Sequence, residues 1–291
     1  MKKILSIALV LMLALTMLAG CGQKTEAPAP AEEPQQQEEA ALSGKIVIAG
    51  STSVQPLSEE LAAAFSEKYP EVSIEVQGGG SSVGVKSAID KIVDIGAASR
   101  ELKESEKSAG LAEYVIAKDG IAVVVNPANK VEDLTMEQIK KIFIGEITNW
   151  KEVGGEDKPI TVVSREQGSG TRGAFIEITK VEDKDANGEN KDFTTDKALT
   201  QPSTGAVKQT VANTPDAIGY ISMGAMDDTV KPIKVEGVEP SEENAKAGSY
   251  LISRPFLYLT NGEESELVKA YIDFVMNEGQ EVVKEEFISV K

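Results

Sequence analysis

From residue 44 onward the chain alternates short apolar runs with stretches of helical periodicity. Lys45-Ile-Val-Ile-Ala49 has the length of a strand, and Pro56 to Tyr69 then sets Leu57, Leu61, Ala64 and Phe65 on one helical face. Val72, Ile74 and Val76 alternate as in a half-buried strand. Val85, Ala88, Ile89 and Ile92 return to helical spacing, and Asp94–Ala98 predicts another strand. Ile121 to Val125 is wholly apolar and stops at Asn126-Pro127. A second series follows. Thr135-Met-Glu-Gln138 fits a capping box ahead of Ile139, Ile142 and Phe143. Ile160–Val163 predicts a strand, Ala174–Thr179 a helix, and the polar stretch Val181–Asn190 an exposed loop. Ala217–Ile221 and Leu251–Leu259 predict strands, and Glu266–Met276 and Glu278–Phe287 terminal helices. This alternation argues an α/β fold with mainly parallel sheets, and the length from 44 to 291 suits two lobes better than one core.

The first 43 residues follow other rules. Lys2 and Lys3 precede an apolar run from Ile4 to Leu18, and Leu18-Ala19-Gly20 supplies small residues before Cys21. That order predicts a signal peptide over 1–20, because the run is short for a bilayer span of about 20 residues. Leu-Ala-Gly-Cys also resembles the lipobox of bacterial lipoproteins. The resemblance implies cleavage before Cys21 and acylation of that residue with palmitate-type chains, anchoring the protein to the outer face of the cytoplasmic membrane. The segment to Ser43 is rich in Pro, Gln, Glu and Ala and offers little to bury, so 21–43 is expected to be a disordered tether reaching roughly 25 Å.

Charge and composition then remove whole classes of function. The formal net charge is −17, and loss of Lys2 and Lys3 with the leader makes it two units more negative. Such a surface argues against nucleic acid and against a polybasic membrane contact. Cys21 is the chain's one cysteine, so disulfides within it are excluded, and there is no histidine. His-ligated metal sites, Ser-His-Asp triads and histidine bases are thereby removed together. We expect no metal, no cofactor, no catalytic residue and a monomer.

One kind of loop recurs three times. Gly50-Ser-Thr-Ser53 lies between the first strand and a helix, and Gly78-Gly-Gly-Ser-Ser82 between the second strand and the next. Arg165-Glu-Gln-Gly-Ser-Gly-Thr171 follows the strand that begins at Ile160. The first turn of a helix has unpaired N–H groups and the positive end of the dipole, so it attracts anions. Glycines admit close approach, hydroxyls add donors, and the Arg165 fork matches a tetrahedral oxyanion. Read singly, each loop is equally an ordinary N-cap and turn. Gly168-Ser-Gly-Thr-Arg-Gly173 matches a dinucleotide fingerprint, but no strand ending in an acidic residue follows. Gly79 to Ser87 approaches a P-loop, and Val85 breaks it.

Taken together, Ala49–Ser53, Gly79–Ser82, Asp94–Arg100, Ile147–Trp150, Ser164–Thr171 and Ala217–Tyr220 resemble the phosphate-binding proteins of bacterial ABC phosphate importers. The resemblance runs over nearly all of 44–291. It implies a two-lobed periplasmic-binding-protein-like fold (type II), with two mainly parallel sheets joined by two hinge crossovers. It further implies a protein that closes over inorganic phosphate and delivers it to membrane-embedded permease subunits. Lobe 1 is expected over 44–125 plus 224–291 and lobe 2 over 126–223, with hinge strands Val123–Asn126 and Ile218–Met223. By resemblance, Thr52, Ser53, Ser81, Ser99, Arg165, Ser169, Gly170 and Thr171 hold the anion, with Ser51 and Ser82 as adjacent candidates. Trp150 and Tyr220 are expected to pack, and Asp94 to be structural.

One position departs from the family. Some members place an aspartate after the Asp-Ile-Gly-like strand, where it accepts the proton of hydrogen phosphate; here Ser99 stands there. A hydroxyl can accept that bond but can also donate to sulfate, so a binder of another tetrahedral oxyanion stays open as an alternative. A hydrolase using Ser169 is a third reading, disfavoured by the missing histidine. Arg100 beside Ser99 is either a second cation for the anion or a surface partner of Glu101.

Overall fold

The computed structural model describes residues 42–291. The leader, Cys21 and nearly all of the expected tether lie outside the described residues. Leu42, at the tether's end, already packs against a hydrophobic core. Among the described residues no helix is long and apolar enough to cross a membrane, and no group of His, Cys, Asp and Glu is placed to hold a metal ion.

The chain opens with β1 (Gly44–Gly50), α1 (Gln55–Lys68), β2 (Val72–Gly78), α2 (Ser81–Ile89), β3 (Ile95–Ala98), α3 (Glu104–Lys107) and β4 (Ala112–Val125). It continues with β5 (Asp133–Leu134), α4 (Met136–Ile144), β6 (Thr161–Arg165), α5 (Gly170–Ile178), β7 (Glu182–Lys184), β8 (Asn190–Asp192), β9 (Leu199–Gln201), α6 (Thr204–Asn213) and β10 (Ala217–Ser222). It ends with β11 (Lys231–Pro232), β12 (Lys234–Val235), α7 (Glu242–Lys246), β13 (Ser253–Thr260), α8 (Glu266–Met276) and α9 (Gln280–Glu286).

Nine strands form one sheet in the order β2-β1-β3-β13-β4-β10-β6-β9, with β11 also on β4, while β5 pairs with β12 and β7 with β8 outside it. The fold is the expected two-lobed α/β one, but its two halves are not separate, mainly parallel sheets. Within the large sheet, parallel pairing is confined to the outer strands, β1 with β2 and β3, and β6 with β9 and β10. The centre is antiparallel, because β4 and β13 run past one another over Ala112–Gly120 and Ser253–Thr260. β4 is the reason the halves fuse. Its first part pairs with β13, and Ile121–Val125 then pair with β10.

Two large cores flank the change of partner. Ile46, Ile48, Leu57, Leu61, Phe65, Ile116, Phe256, Tyr258 and Tyr271 belong to the first. Ile121 to Val125, Ile139, Phe143, Trp150, Phe175, Ile218 and Tyr220 belong to the second. Val230, Ile233, Val235, Tyr250 and Ile252 also pack in the second core, and β11 pairs with Val124 and Val125. The stretch 224–252, expected in lobe 1, therefore packs with lobe 2. The expected hinge strands Val123–Asn126 and Ile218–Met223 lie over the second core as well, and the main chain passes between cores near Gly120 and Ser253. The apolar pattern could not reveal this, because a strand that feeds two cores is apolar on both sides of the crossing.

Local signals were otherwise reliable. α4 has the capping box at Thr135 and Gln138, and Gly145 ends it at φ 83°, a left-handed C-cap suited to glycine. The exception lies around residue 190: Val181–Asn190, expected as a loop, is instead largely the antiparallel hairpin β7–β8. Its strands are three residues each and mostly exposed, so they carry no apolar alternation to read.

Candidate functional site

Four helix N-termini meet between the two cores. The β1–α1 loop carries Ser51, Thr52 and Ser53, α2 begins at Ser81, and α5 begins at Gly170 behind the N-cap Ser169. The fourth is α6, which begins at Thr204 behind the N-cap Ser203. Each helix leaves first-turn N–H groups without an intrahelical acceptor, and the dipoles add at the point of convergence. Sequence reasoning missed α6, and with it Thr204. The signal was present: Gln201-Pro-Ser-Thr-Gly205 repeats the pattern of hydroxyls and glycine at a helix start after a strand.

The hydroxyls from the two lobes interlock. Ser53 Oγ lies 2.8 Å from both Thr171 Oγ1 and Thr204 Oγ1. On the first-lobe side Ser51 Oγ donates to Ser99 Oγ at 2.8 Å, and the Ser99 amide donates to Ser81 Oγ at 3.0 Å. Across the cleft the Ser82 amide donates to the Gly168 carbonyl at 3.0 Å. Ser51, Ser53, Ser81, Ser99, Ser169, Thr171 and Thr204 are all buried, and Thr52 and Ser82 are half-buried. Gly170 must be glycine for this fit, since a Cβ there would stand 2.1 Å from Ser81 Oγ and 2.6 Å from Ser99 Oγ. Ser169 Oγ is engaged as an N-cap, accepting from the Arg172 amide at 3.2 Å.

Arg165 is the cation of the cleft, and it is 1% exposed. Its guanidinium donates to Thr204 Oγ1 and Thr52 Oγ1, each at 3.2 Å, and forms two 2.9 Å bonds to the Glu166 carboxylate. Its backbone is fixed too. The Arg165 amide donates to the Tyr220 hydroxyl at 3.2 Å, and Tyr220 stacks on Phe175 with ring centroids 4.0 Å apart. The Arg165 carbonyl accepts from Arg172, whose side chain pairs with Asp192 at 2.7 Å. The hairpin β7–β8 thus supports the site, since its last residue holds the arginine that holds Arg165.

The remaining sequence candidates fall into place by contact. Trp150 packs in the second core and donates from Nε1 to the Asp216 carbonyl. Asp94 accepts from the Val47 amide at 2.8 Å and is structural. Arg100 is not the surface partner of the Glu101 side chain. It is 6% exposed rather than at the surface, and it pairs with Glu106 instead of the Glu101 side chain. Its Nη2 also reaches Ser82 Oγ at 3.4 Å. Burial alone would raise the Glu106 carboxyl, but the Arg100 fork and the Lys103 amide hold it below the usual range.

The electrostatics of the cleft follow. The chain's four arginines, Arg100, Arg165, Arg172 and Arg254, all lie at or just behind it, and each is paired with its own carboxylate. The neighbourhood is therefore close to neutral. Attraction for an anion comes from oriented hydroxyls, helix N-termini and one guanidinium fork in a site shielded from water. Such a cradle can hold a small tetrahedral oxyanion; the one carboxylate within it, Glu166, is engaged by Arg165 and hydrogen-bonds none of the hydroxyls.

Comparison with known proteins agrees with the geometry. A PBP superfamily domain matches residues 35–278. The phosphate-binding protein PstS of Bacillus subtilis is 36% identical over 282 residues, 96% of this chain and 90% of its own length. PstS of Borreliella burgdorferi is 30% identical, over 85% of this chain and 91% of its own length. Among solved structures, a substrate-binding protein of Clostridium perfringens with bound phosphate is 48% identical, with a TM-score of 0.80 over 85% of this chain and all of its own. An ABC-type phosphate transport receptor of Vibrio cholerae is 36% identical, with a TM-score of 0.70 over 84% of this chain and all of its own. The chain belongs to the PstS family of the periplasmic-binding-protein superfamily.

Proposed function

We propose that this chain is an extracytoplasmic solute-binding protein, not an enzyme, that captures inorganic phosphate between its lobes and delivers it to an ABC-type permease. The observation that carries this reading is the convergence of buried donors from both lobes around Arg165, with Ser53, Thr171 and Thr204 within hydrogen-bonding distance across the cleft. The anion is held by Thr52, Ser53, Ser81, Ser99, Arg165, Ser169, Gly170 and Thr171, with Thr204 added to them and Ser51 and Ser82 beside them. Hydroxyls and amides bind the oxygens and Arg165 supplies the one charge. Each bond to a charged ligand contributes roughly 1.5–3 kcal/mol, so a handful suffices for micromolar binding or tighter on an acidic protein. Capture is lobe closure with no covalent step. Calorimetric titration of the full-length chain with phosphate and with sulfate tests this directly. Phosphate binding without comparable sulfate binding is expected; binding of neither anion sinks the proposal.

Ser99 gives the sulfate alternative its one specific support. Its side chain is a hydroxyl, which can donate as well as accept, and it places no buried carboxylate at that position to refuse a fully deprotonated anion. Preferred binding of sulfate in the same titration would establish this second reading. For attachment we propose cleavage before Cys21, acylation of that cysteine and a monomer on the outer face of the cytoplasmic membrane. Support comes from the positive n-region, the short apolar run and Leu-Ala-Gly-Cys. A Cys21→Ala protein should leave the membrane fraction, and its retention there would refute the anchor.

A further inference from the structure

Asp119 and Arg254 form an ion pair behind Ser99, in the wall between the two cores. Both side chains are 1% exposed. Asp119 sits on β4 one residue before Gly120, where that strand changes from β13 to β10 as its partner. Arg254 sits at the start of β13, where the chain returns from the second core to the first. The two are 135 residues apart and meet through Nε at 3.1 Å and Nη2 at 2.8 Å, both on Asp119 Oδ2. Asp119 Oδ1 is used as well. It accepts from Ser222 Oγ at 2.9 Å and from the Met223 amide at 3.2 Å, where β10 ends. One carboxylate therefore ties together three segments at the boundary: β4, the end of β10 and the start of β13.

The remaining arm of Arg254 points at the anion cradle. Nη1 donates to the Ser99 carbonyl at 3.2 Å. Ser99 is the residue whose hydroxyl accepts from Ser51 and whose amide donates to Ser81, and Gly170 of the opposite lobe fits against its Oγ. The carbonyl, amide and hydroxyl of Ser99 are thus all fixed, and the carbonyl is fixed by the boundary itself. Burial pushes the Asp119 carboxyl up and the Arg254 guanidinium down, while their mutual attraction opposes both shifts. A buried pair of this kind is weak evidence for stability, since a well-packed apolar pair of similar volume often serves as well. Its hydrogen bonds are more readily understood as fixing a geometry.

We propose that Arg254, held by Asp119, is a positioning residue for anion capture: it sets the angle between the lobes and holds Ser99 in register with Gly170, without touching the anion. This rests on the phosphate reading only for its binding readout. The test compares the full-length chain with the apolar double variant Asp119→Leu/Arg254→Met and with Arg254→Lys. The double variant removes both charges at once, so it should melt close to the wild type; the bond to Ser99 and the tie to Met223 are gone. Phosphate affinity should fall by about tenfold or more, in line with the weight of supporting contacts behind a binding group. Solution X-ray scattering of the anion-free double variant should show a larger radius of gyration than the wild type. Arg254→Lys should recover the melting temperature of a charged pair but not the affinity, because an ammonium cannot serve Asp119 and the Ser99 carbonyl as the guanidinium fork does. A double variant with unchanged phosphate affinity and an unchanged scattering profile overturns the proposal and leaves the pair purely structural. The scattering arm needs no ligand. A wild type that binds no phosphate would therefore sink the phosphate reading, while the scattering result still decides this one.

Discussion

Two buried arginines, Arg165 and Arg254, serve one cleft in different ways. Arg165 pairs with its chain neighbour Glu166, whose carboxyl remains 29% exposed, and it keeps contacts with Thr52 and Thr204 on opposite walls. Arg254 pairs with a residue 135 positions away, and both members are shut off from water. The first pair can adjust, because its carboxylate stands at the rim with water available. The second cannot, because an unpaired charge in its place would have no solvent to turn to. A binding protein needs both. On the proposed function, the arginine that meets the anion must release and regain partners as the lobes move, and the arginine at the boundary must not.

The sharpest way to break this contrast is to orphan the boundary arginine. Asp119→Ala leaves Arg254 buried without its counter-charge and should cost about 3–5 kcal/mol of folding stability, read as a drop in denaturation midpoint. The matching change at the rim, Glu166→Ala, should cost less than about 1 kcal/mol, as a partly exposed pair does. Equal losses at the two sites would remove the distinction. Next in size, Arg165→Ala should weaken phosphate binding by roughly a hundredfold with little change in melting, since hydrogen bonds to a charged ligand contribute about 1.5–3 kcal/mol each. A variant that still binds within a factor of a few would take Arg165 out of the site.

Smaller effects refine the picture. Gly170→Ala should leave each lobe folded but hold them apart, because the added carbon collides with Ser81 and Ser99 only when the cleft is shut. An affinity loss of about tenfold with unchanged thermal stability is expected by calorimetry and melting, consistent with the cost of overpacking. Thr204→Val removes the hydroxyl shared by Ser53 and Arg165 and should cost about 1 kcal/mol of binding, a factor of about five. The smallest effect is on pH dependence. Glu106 is held below its usual range by Arg100, and Asp192, despite burial that would raise it, by Thr194 and Arg172. A depressed carboxyl contributes stability that is present above its unfolded pKa and lost as pH falls through its folded one. Melting temperature should therefore decline on acidification below the ordinary values of 4.5 for Glu106 and 3.8 for Asp192. Glu106→Gln should flatten part of that decline, and an identical slope would show that the Arg100 pair carries no linkage.

How far the sequence could be read depended on the distance over which each signal acts. The loops at Ser51–Ser53, Ser81 and Ser169–Thr171 were legible because strand, hydroxyl and helix start lie within about a dozen residues and express local rules of capping and anion binding. Thr204 obeyed the same rules but followed a three-residue, mostly exposed strand, β9, whose pattern is too short to register. Asp119 and Arg254 carried no local signal. An aspartate in a strand and an arginine before a proline are ordinary until pairing of β4 with β13 brings them together.

Periodicity, composition and short motifs were enough for the class of the fold, the expectation of a leader and lipidated Cys21, the absence of histidine chemistry, and three of the four helix ends that make the cradle. All of these act through neighbours along the chain. Contacts between distant segments were needed to show that 224–252 joins the second core, that Thr204 completes the cradle, and that the chain's four arginines gather about one cleft with a carboxylate each. These depend on the register of strands far apart in sequence, and register is settled by which apolar faces can be buried together.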